Sequence, residues 1–243
     1  MSRGSAVAGT SPTAAPSPPR VWQWLLRTRP PRLVLLVTVL LGIGTAVAVA
    51  AAAPPGDRTF ATISEPTQSL MSVTVPFLGV LVTHHLVRRP APRSAVVRAV
   101  LAAQGMALAV GTVGVAVCAV VTATAPSTSP NRWQHVVLIA VGSLLVQGLA
   151  QLTGTGFGLL VRSTVLACLA TIVVPLGLRL LLEAVQPAGP ASHWLTPSAS
   201  AERLLVGQLD ATNWLQWLVV VTIWGLGLNA AGAWRVRRRA IDR

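Results

Sequence analysis

From Leu33 to Ala53 the chain runs for 21 residues without a charged side chain, and apolar runs of similar length recur at about 69–87, 99–123, 136–161, 164–182 and 214–234. At ~1.5 Å of rise per residue, each is long enough as a helix to cross a hydrocarbon core of ~30 Å. Backbone buried in lipid must satisfy its N–H and C=O groups internally, and a helix does so segment by segment. The sequence therefore predicts an all-α integral membrane protein with six transmembrane helices filling residues 33–234. Charged residues make up 10% of the chain, against about a quarter in soluble domains, which excludes a soluble domain of the same length. The first run follows an arginine-rich start and precedes the small residues AAAPP, as a cleavable signal would, but it exceeds the roughly 7–15 apolar residues of such a signal. It is expected to remain as span 1.

The charges orient this bundle. All 19 basic residues are arginine. With both termini in the cytoplasm, only Arg58, Arg132, Arg179 and Arg203 fall outside and the other fifteen lie inside, the asymmetry that sets membrane topology. Five of the six acidic residues, Asp57, Glu65, Glu183, Glu202 and Asp210, fall on the outer side. The net charge of +13 is distributed around apolar spans and forms no basic domain, so it is read as topology signal and anionic-lipid contact and not as a nucleic-acid surface. Residues 1–19, rich in Ser, Ala, Thr and Pro, are expected to form a disordered cytoplasmic tail. In 20–32, RVWQWLLRTRPPR, Val21, Trp22 and Leu25 share one helical face and Arg20, Gln23 and Arg27 another, which predicts a helix lying in the interface. Residues 235–243 form a basic cytoplasmic tail.

Catalytic chemistry is not expected of this chain. Without lysine it cannot contain the GxxxxGK[ST] loop of an ATPase, and it has no GxSxG, HExxH or CxxC. His84 and His85 are adjacent and point about 100° apart on a helix, so they do not readily grip one metal. Cys118 and Cys168 fall near opposite faces of the bilayer, too far apart for a disulfide. No catalytic, cofactor-binding or metal-binding residue is therefore assigned. Arg179 and Glu183, spaced i,i+4, are expected to pair or to snorkel. Ser143, Gln147 and Gln151 recur every four residues along span 4, a polar stripe that either hydrogen-bonds to another helix or faces a substrate pathway or subunit contact. Just beyond it, Gly154–Gly158 (GTGFG) permits close helix approach or loosens the helix end, Gly225, Gly227, Asn229 and Gly232 do the same in span 6, and Pro175 predicts a kink in span 5.

The stretch from Thr83 to Ala99, THHLVRRPAPRSAVVRA, joins spans 2 and 3 on the cytoplasmic side and carries His84, His85, Arg88, Arg89, Arg93 and Arg98. Pro90 and Pro92 are expected to end the helix of span 2, and Ser94 to cap the next. A chain that hydrolyses no ATP itself must receive motion by contact, and this is its most extended cytoplasmic link between consecutive spans.

With these parts in place the chain resembles the permease subunits of the ABC-2 superfamily of ATP-driven exporters, from about Val21 onward. RVWQWLLRTRPPR is similar to the amphipathic connecting helix before span 1, THHLVRRPAPRSAVVRA occupies the position of the basic coupling segment, WLTPSASAERLL is similar to the segment that forms short exoplasmic re-entrant helices before the last span, and GAWRVRRRAID resembles the arginine-rich exit. The coupling segment departs from the family pattern in having His84 and His85 where a glutamate often precedes the arginines. The resemblance implies an export permease in the cell membrane without implying its substrate, which is expected to be amphipathic or hydrophobic. It also implies a second permease, identical or related, and a separate ABC ATPase that binds ATP and Mg and docks on the coupling loop. The alternative is a non-transporting membrane module, such as an immunity, sensor-partner or assembly subunit.

Overall fold

The computed structural model describes residues 29–88, 93–185, 191–207 and 210–241. The expected tail 1–19, most of the interfacial segment 20–32, Arg89 and the last residues of the basic tail lie outside them. The described residues form helices and no strand: α1 (Arg29–Ala52), α2 (Phe60–Arg88), α3 (Arg93–Thr124), α4 (Val136–Leu160), α5 (Thr164–Val185), α6 (Ala191–Leu195), α7 (Pro197–Val206), α8 (Ala211–Val220) and α9 (Leu228–Ile241), with a π-helical segment at Val221–Gly227 that makes α8 and α9 one continuous rod. Among the described residues six helical stretches are long and apolar enough to cross a membrane: Arg29–Ala52, Phe60–His84, Ser94–Thr124, Val136–Leu160, Thr164–Val185 and Ala211–Arg238. This is the architecture of a multi-pass membrane protein.

The second of these stretches begins at Phe60, not at Ser69 where the apolar run starts. The segment 60–68 contains Glu65 and Pro66 and reads as a connection, but Phe60, Ile63, Ser64, Thr67 and Gln68 are fully buried. A polar residue on a bundle's interior face needs a partner helix and not water, so hydropathy misplaces the boundary.

Helix ends follow local chemistry. Asp210 accepts from the Asn213 N–H at 2.7 Å and caps α8. α7 starts with Pro197 at its first position and stops at Gly207 in the left-handed conformation, φ 75°. His135, before α4, is also left-handed at φ 57°, a conformation His tolerates better than most residues.

α4 is the axis of the bundle, touching α2, α3, α5, α7, the π segment and α9. α1 lies on α2 and α3 and offers a ladder of Thr38, Gly42, Ala46 and Ala50, buried at every fourth position. A Cβ added to Gly42 would stand 2.6 Å from the Met71 sulfur, so a side chain there would have to displace Met71. One core joins Met71, Val75, Leu78 and Leu86 of α2 to Ala103, Met106 and Ala107 of α3 and to Val236 of α9; another joins Leu149 and Phe157 of α4 to Leu204 and Leu205 of α7 and to Trp217 and Trp224. α5 instead turns Val165, Leu166, Leu169, Leu180 and Leu181 outward, a surface suited to lipid. One end of the bundle gathers Arg29, Arg32, Arg98, Arg162, Arg235, Arg237 and Arg238; the opposite end holds every described carboxylate. These are called the arginine end and the acidic end.

Candidate functional site

The polar stripe on α4 faces the interior. Ser143, Gln147 and Gln151 have no solvent-accessible surface. The Gln147 Nε2 donates to the Gln68 backbone oxygen at 3.1 Å and to the Gln68 side-chain oxygen at 3.0 Å, while the Ser143 hydroxyl donates within its own helix to Ile139 at 2.8 Å. In the amide orientation that satisfies its surroundings, Gln151 donates to the Val75 carbonyl at 2.6 Å and accepts from the Gly79 N–H at 3.1 Å. A regular helix would join those two groups to each other, so Gln151 inserts its amide into the α2 ladder beside Pro76. The sequence reading identified the α4 half of this seam and missed its α2 half. The available signal was the spacing of Ser64, Thr67 and Gln68 on one helical face. The seam is not fully paired: Gln68 Nε2, Thr122 Oγ1 and Gln147 Oε1 are buried without a hydrogen-bond partner, an arrangement rare enough among buried polar atoms to mark the region.

Toward the arginine end the seam becomes a backbone contact. A Cβ on Gly79 would lie 2.7 Å from the Thr155 nitrogen, one on Gly154 would lie 2.6 Å from the Pro76 Cα, and one on Gly158 would lie 2.9 Å from the Val80 Cα, so α2 and α4 touch where any side chain would separate them. The Thr83 hydroxyl donates to the Gly79 carbonyl at 2.8 Å and to the Thr155 carbonyl at 3.2 Å, bridging the two helices. On its other side α4 meets the last rod. Asn229 Nδ2 donates to Leu152 O at 2.8 Å and to Gly225 O at 2.7 Å, and its Oδ1 accepts from Thr155 Oγ1 at 2.8 Å. The Gly225 carbonyl thus takes a side-chain donor at the π segment, which also directs Trp224 Nε1 to the Leu195 carbonyl at 2.8 Å. The GTGFG run therefore serves close approach, and so do Gly225 and Gly232 of the last span, where an added Cβ would lie 3.0 Å from Leu152 Cδ1 and 2.5 Å from Leu159 Cβ; Gly227 meets only its own segment.

At the arginine end, α2 is helical to Arg88 and α3 is helical from Arg93, so residues 89–92 alone connect them. Ser94 falls inside the first turn of α3 and does not precede it. His84 is buried. The Arg98 guanidinium has one buried nitrogen, NH2, without a hydrogen-bond partner. His85, Arg88 and Arg93 lie in the helical backbone of α2 and α3, and Arg89 lies outside the described residues. Arg235 donates to Leu160 O at 2.7 Å, closing the end of α4, and Arg238 sits 3.8 Å above the Trp234 ring. No group of three His, Cys, Asp or Glu that could hold a metal ion occurs among the described residues. Cys118 and Cys168 are free thiols, in α3 and α5.

At the acidic end the arginines have structural partners. Arg58 donates to Ala53 O at 2.8 Å and to Pro126 O at 3.0 Å, and Arg132 donates to Ala125 O at 2.8 Å, closing the C-terminal ends of α1 and α3. Arg179 pairs with Glu183 at 2.8 Å, as the i,i+4 spacing predicts, and also with Glu202 at 2.7 Å, which ties α5 to α7. Arg203 holds the side chain of Asn213. Between α2, α4, α5 and α7 lies a cavity of about 270 Å³, lined in part by Pro76, Thr153, Thr171, Pro175 and Ser198.

No family model and no curated protein matches the chain.

Proposed function

We propose that the chain is the membrane-embedded permease subunit of an ATP-driven exporter of the ABC-2 type, moving an amphipathic or hydrophobic substrate across the cell membrane. In this reading both termini and the 89–92 link are cytoplasmic, α6 and α7 are the short exoplasmic re-entrant helices, and ATP and Mg are bound by a separate ABC ATPase. A second permease, identical or related, completes the assembly. The observation that carries the reading is the link itself. A chain with no lysine, and hence no phosphate-binding loop of its own, joins two of its long helices, α2 and α3, through four residues flanked by arginines. Such a link, continuous with two packed helices, is suited to transmit a displacement, and arginines recognise carboxylates with bidentate geometry. The 270 Å³ cavity beside α5 supports a lateral site for an apolar substrate.

The test is co-purification with an ABC ATPase from native membranes, followed by assay of that ATPase with and without this subunit. Arg88→Glu combined with Arg89→Glu is expected to abolish stimulation and transport while membrane insertion stays normal. Wild-type coupling in the double variant, with its orientation preserved, would refute the assignment. The second reading, a non-transporting membrane module, draws on one observation: the polar stripe is engaged inside a single chain. Absence of any ATPase partner would favour it.

A further inference from the structure

Between α3 and the last rod, at the arginine end, lies a cleft of about 440 Å³, within the ~300–1,000 Å³ range of small-molecule sites. Its walls are Val97, Val100 and Leu101 on one side and Leu226, Ala230 and Ala233 on the other, and Arg237 stands at one end. From Arg237 to Gly225, the deepest lining residue on the rod, the chain covers twelve residues, about 18 Å at ~1.5 Å per residue. That reaches from headgroup level past the middle of a hydrocarbon core of ~30 Å. The cleft's lining over this length is aliphatic apart from Asn229 and the terminal Arg237, the chemistry that an extended hydrocarbon chain with a charged head requires. Val97, Leu101 and Leu226 are 48%, 64% and 61% exposed, so the cleft opens toward the bilayer.

The charge at its mouth selects the head of that chain. Arg235 is engaged with the α4 carboxyl end and Arg238 with Trp234. Arg237 is exposed and has no ion pair or hydrogen bond among the described residues, and every described carboxylate lies at the opposite end of the bundle. We infer that this cleft is a binding site for an anionic phospholipid, with one acyl chain in the apolar slot and the phosphate on Arg237. Basic pockets between transmembrane helices recognise such headgroups. The inference needs only a membrane-spanning chain and is independent of any transport activity.

The test uses the full chain, delipidated in mild detergent, and follows thermal unfolding during titration with phosphatidylglycerol or phosphatidylcholine. Phosphatidylglycerol is expected to stabilise the wild type at concentrations at least fivefold below those needed for phosphatidylcholine. Arg237→Gln should abolish that preference. Arg162→Gln, a change at an exposed arginine of the same end outside the cleft, should retain it. Phosphatidylglycerol carrying a photoreactive acyl chain should label the peptides containing Leu101 and Leu226, and Ala233→Phe should suppress that labelling. Equal response to the two lipids, equal loss in both arginine variants, stabilisation by soluble glycerol phosphate alone, or no labelling at Leu101 and Leu226 would each overturn the assignment.

Discussion

The two ends of the bundle use the same residue in opposite ways. At the acidic end Arg58 and Arg132 close helix termini, Arg179 holds two glutamates and Arg203 holds Asn213. At the other end Arg235 closes α4 and Arg238 lies on Trp234, but Arg29, Arg32, Arg162 and Arg237 form no hydrogen bond or ion pair among the described residues. The four arginines that depart from the charge asymmetry are thus parts of the fold, and much of the charge that obeys the asymmetry is available to something beyond the chain. Positive charge alone does not distinguish these roles; the carbonyls and carboxylates within reach do.

The largest test of this contrast is all-or-none. In a background with Cys118→Ala and Cys168→Ala, cysteine at Thr128, exposed at the acidic end, should react with a membrane-impermeant thiol reagent added outside intact cells. Cysteine at Ser94, exposed at the arginine end, should react only after the membrane is opened. Labelling of Ser94 from outside would reverse the orientation and with it the coupling assignment. An intermediate effect separates structural from available arginines: Arg132→Ala should lower the unfolding free energy by about 1.5–3 kcal/mol, the range for a hydrogen bond from a charged group, whereas Arg162→Ala should stay within about 0.5 kcal/mol. Thermal or denaturant unfolding in detergent measures both, and equal losses would erase the distinction. The smallest effect belongs to Arg179. Its side chain is 29% exposed and its two partners 46% and 52%, so Arg179→Gln should cost only about 0.2–1 kcal/mol, a difference that high salt removes. A loss that persists in 0.5 M salt would show that the α5–α7 tie depends on more than exposed charge.

The number and order of the long helices were legible because apolar length is a direct physical requirement of the bilayer. The start of α2 was not. Ser64, Glu65, Pro66, Thr67 and Gln68 resemble a loop in composition, and only the facing residues of α3 and α4 turn that polarity inward. The stripe Ser143, Gln147, Gln151 could be read as one face, but its partner Gln68 could not be named without the packing. Arg58 and Arg132 seemed exceptions to a rule because capping of a distant carbonyl leaves no trace in local sequence. Beside the π segment Asn229 reaches both Leu152 and Gly225, contacts that only the packing of α4 against the last rod defines. The proposed coupling role of His84, His85, Arg88, Arg89, Arg93 and Arg98 rests on their position in the sequence, and of their side chains the structure describes His84 and Arg98.

The glycine contact between α2 and α4 has a mechanical consequence. Most neighbouring helices are separated by side chains that can change rotamer and let one helix slip against the other. At Gly79, Gly154 and Gly158 no such cushion exists, and Gln151 and Thr83 stitch the contact above and below. Over this stretch, in the half of the bundle toward the arginine end, α2 and α4 have no side chains between them to repack, so they are expected to move together. A displacement of α2 would therefore pass directly to α4, whereas α5, with one face exposed, meets the bundle through side chains, the Arg179–Glu202 pair among them.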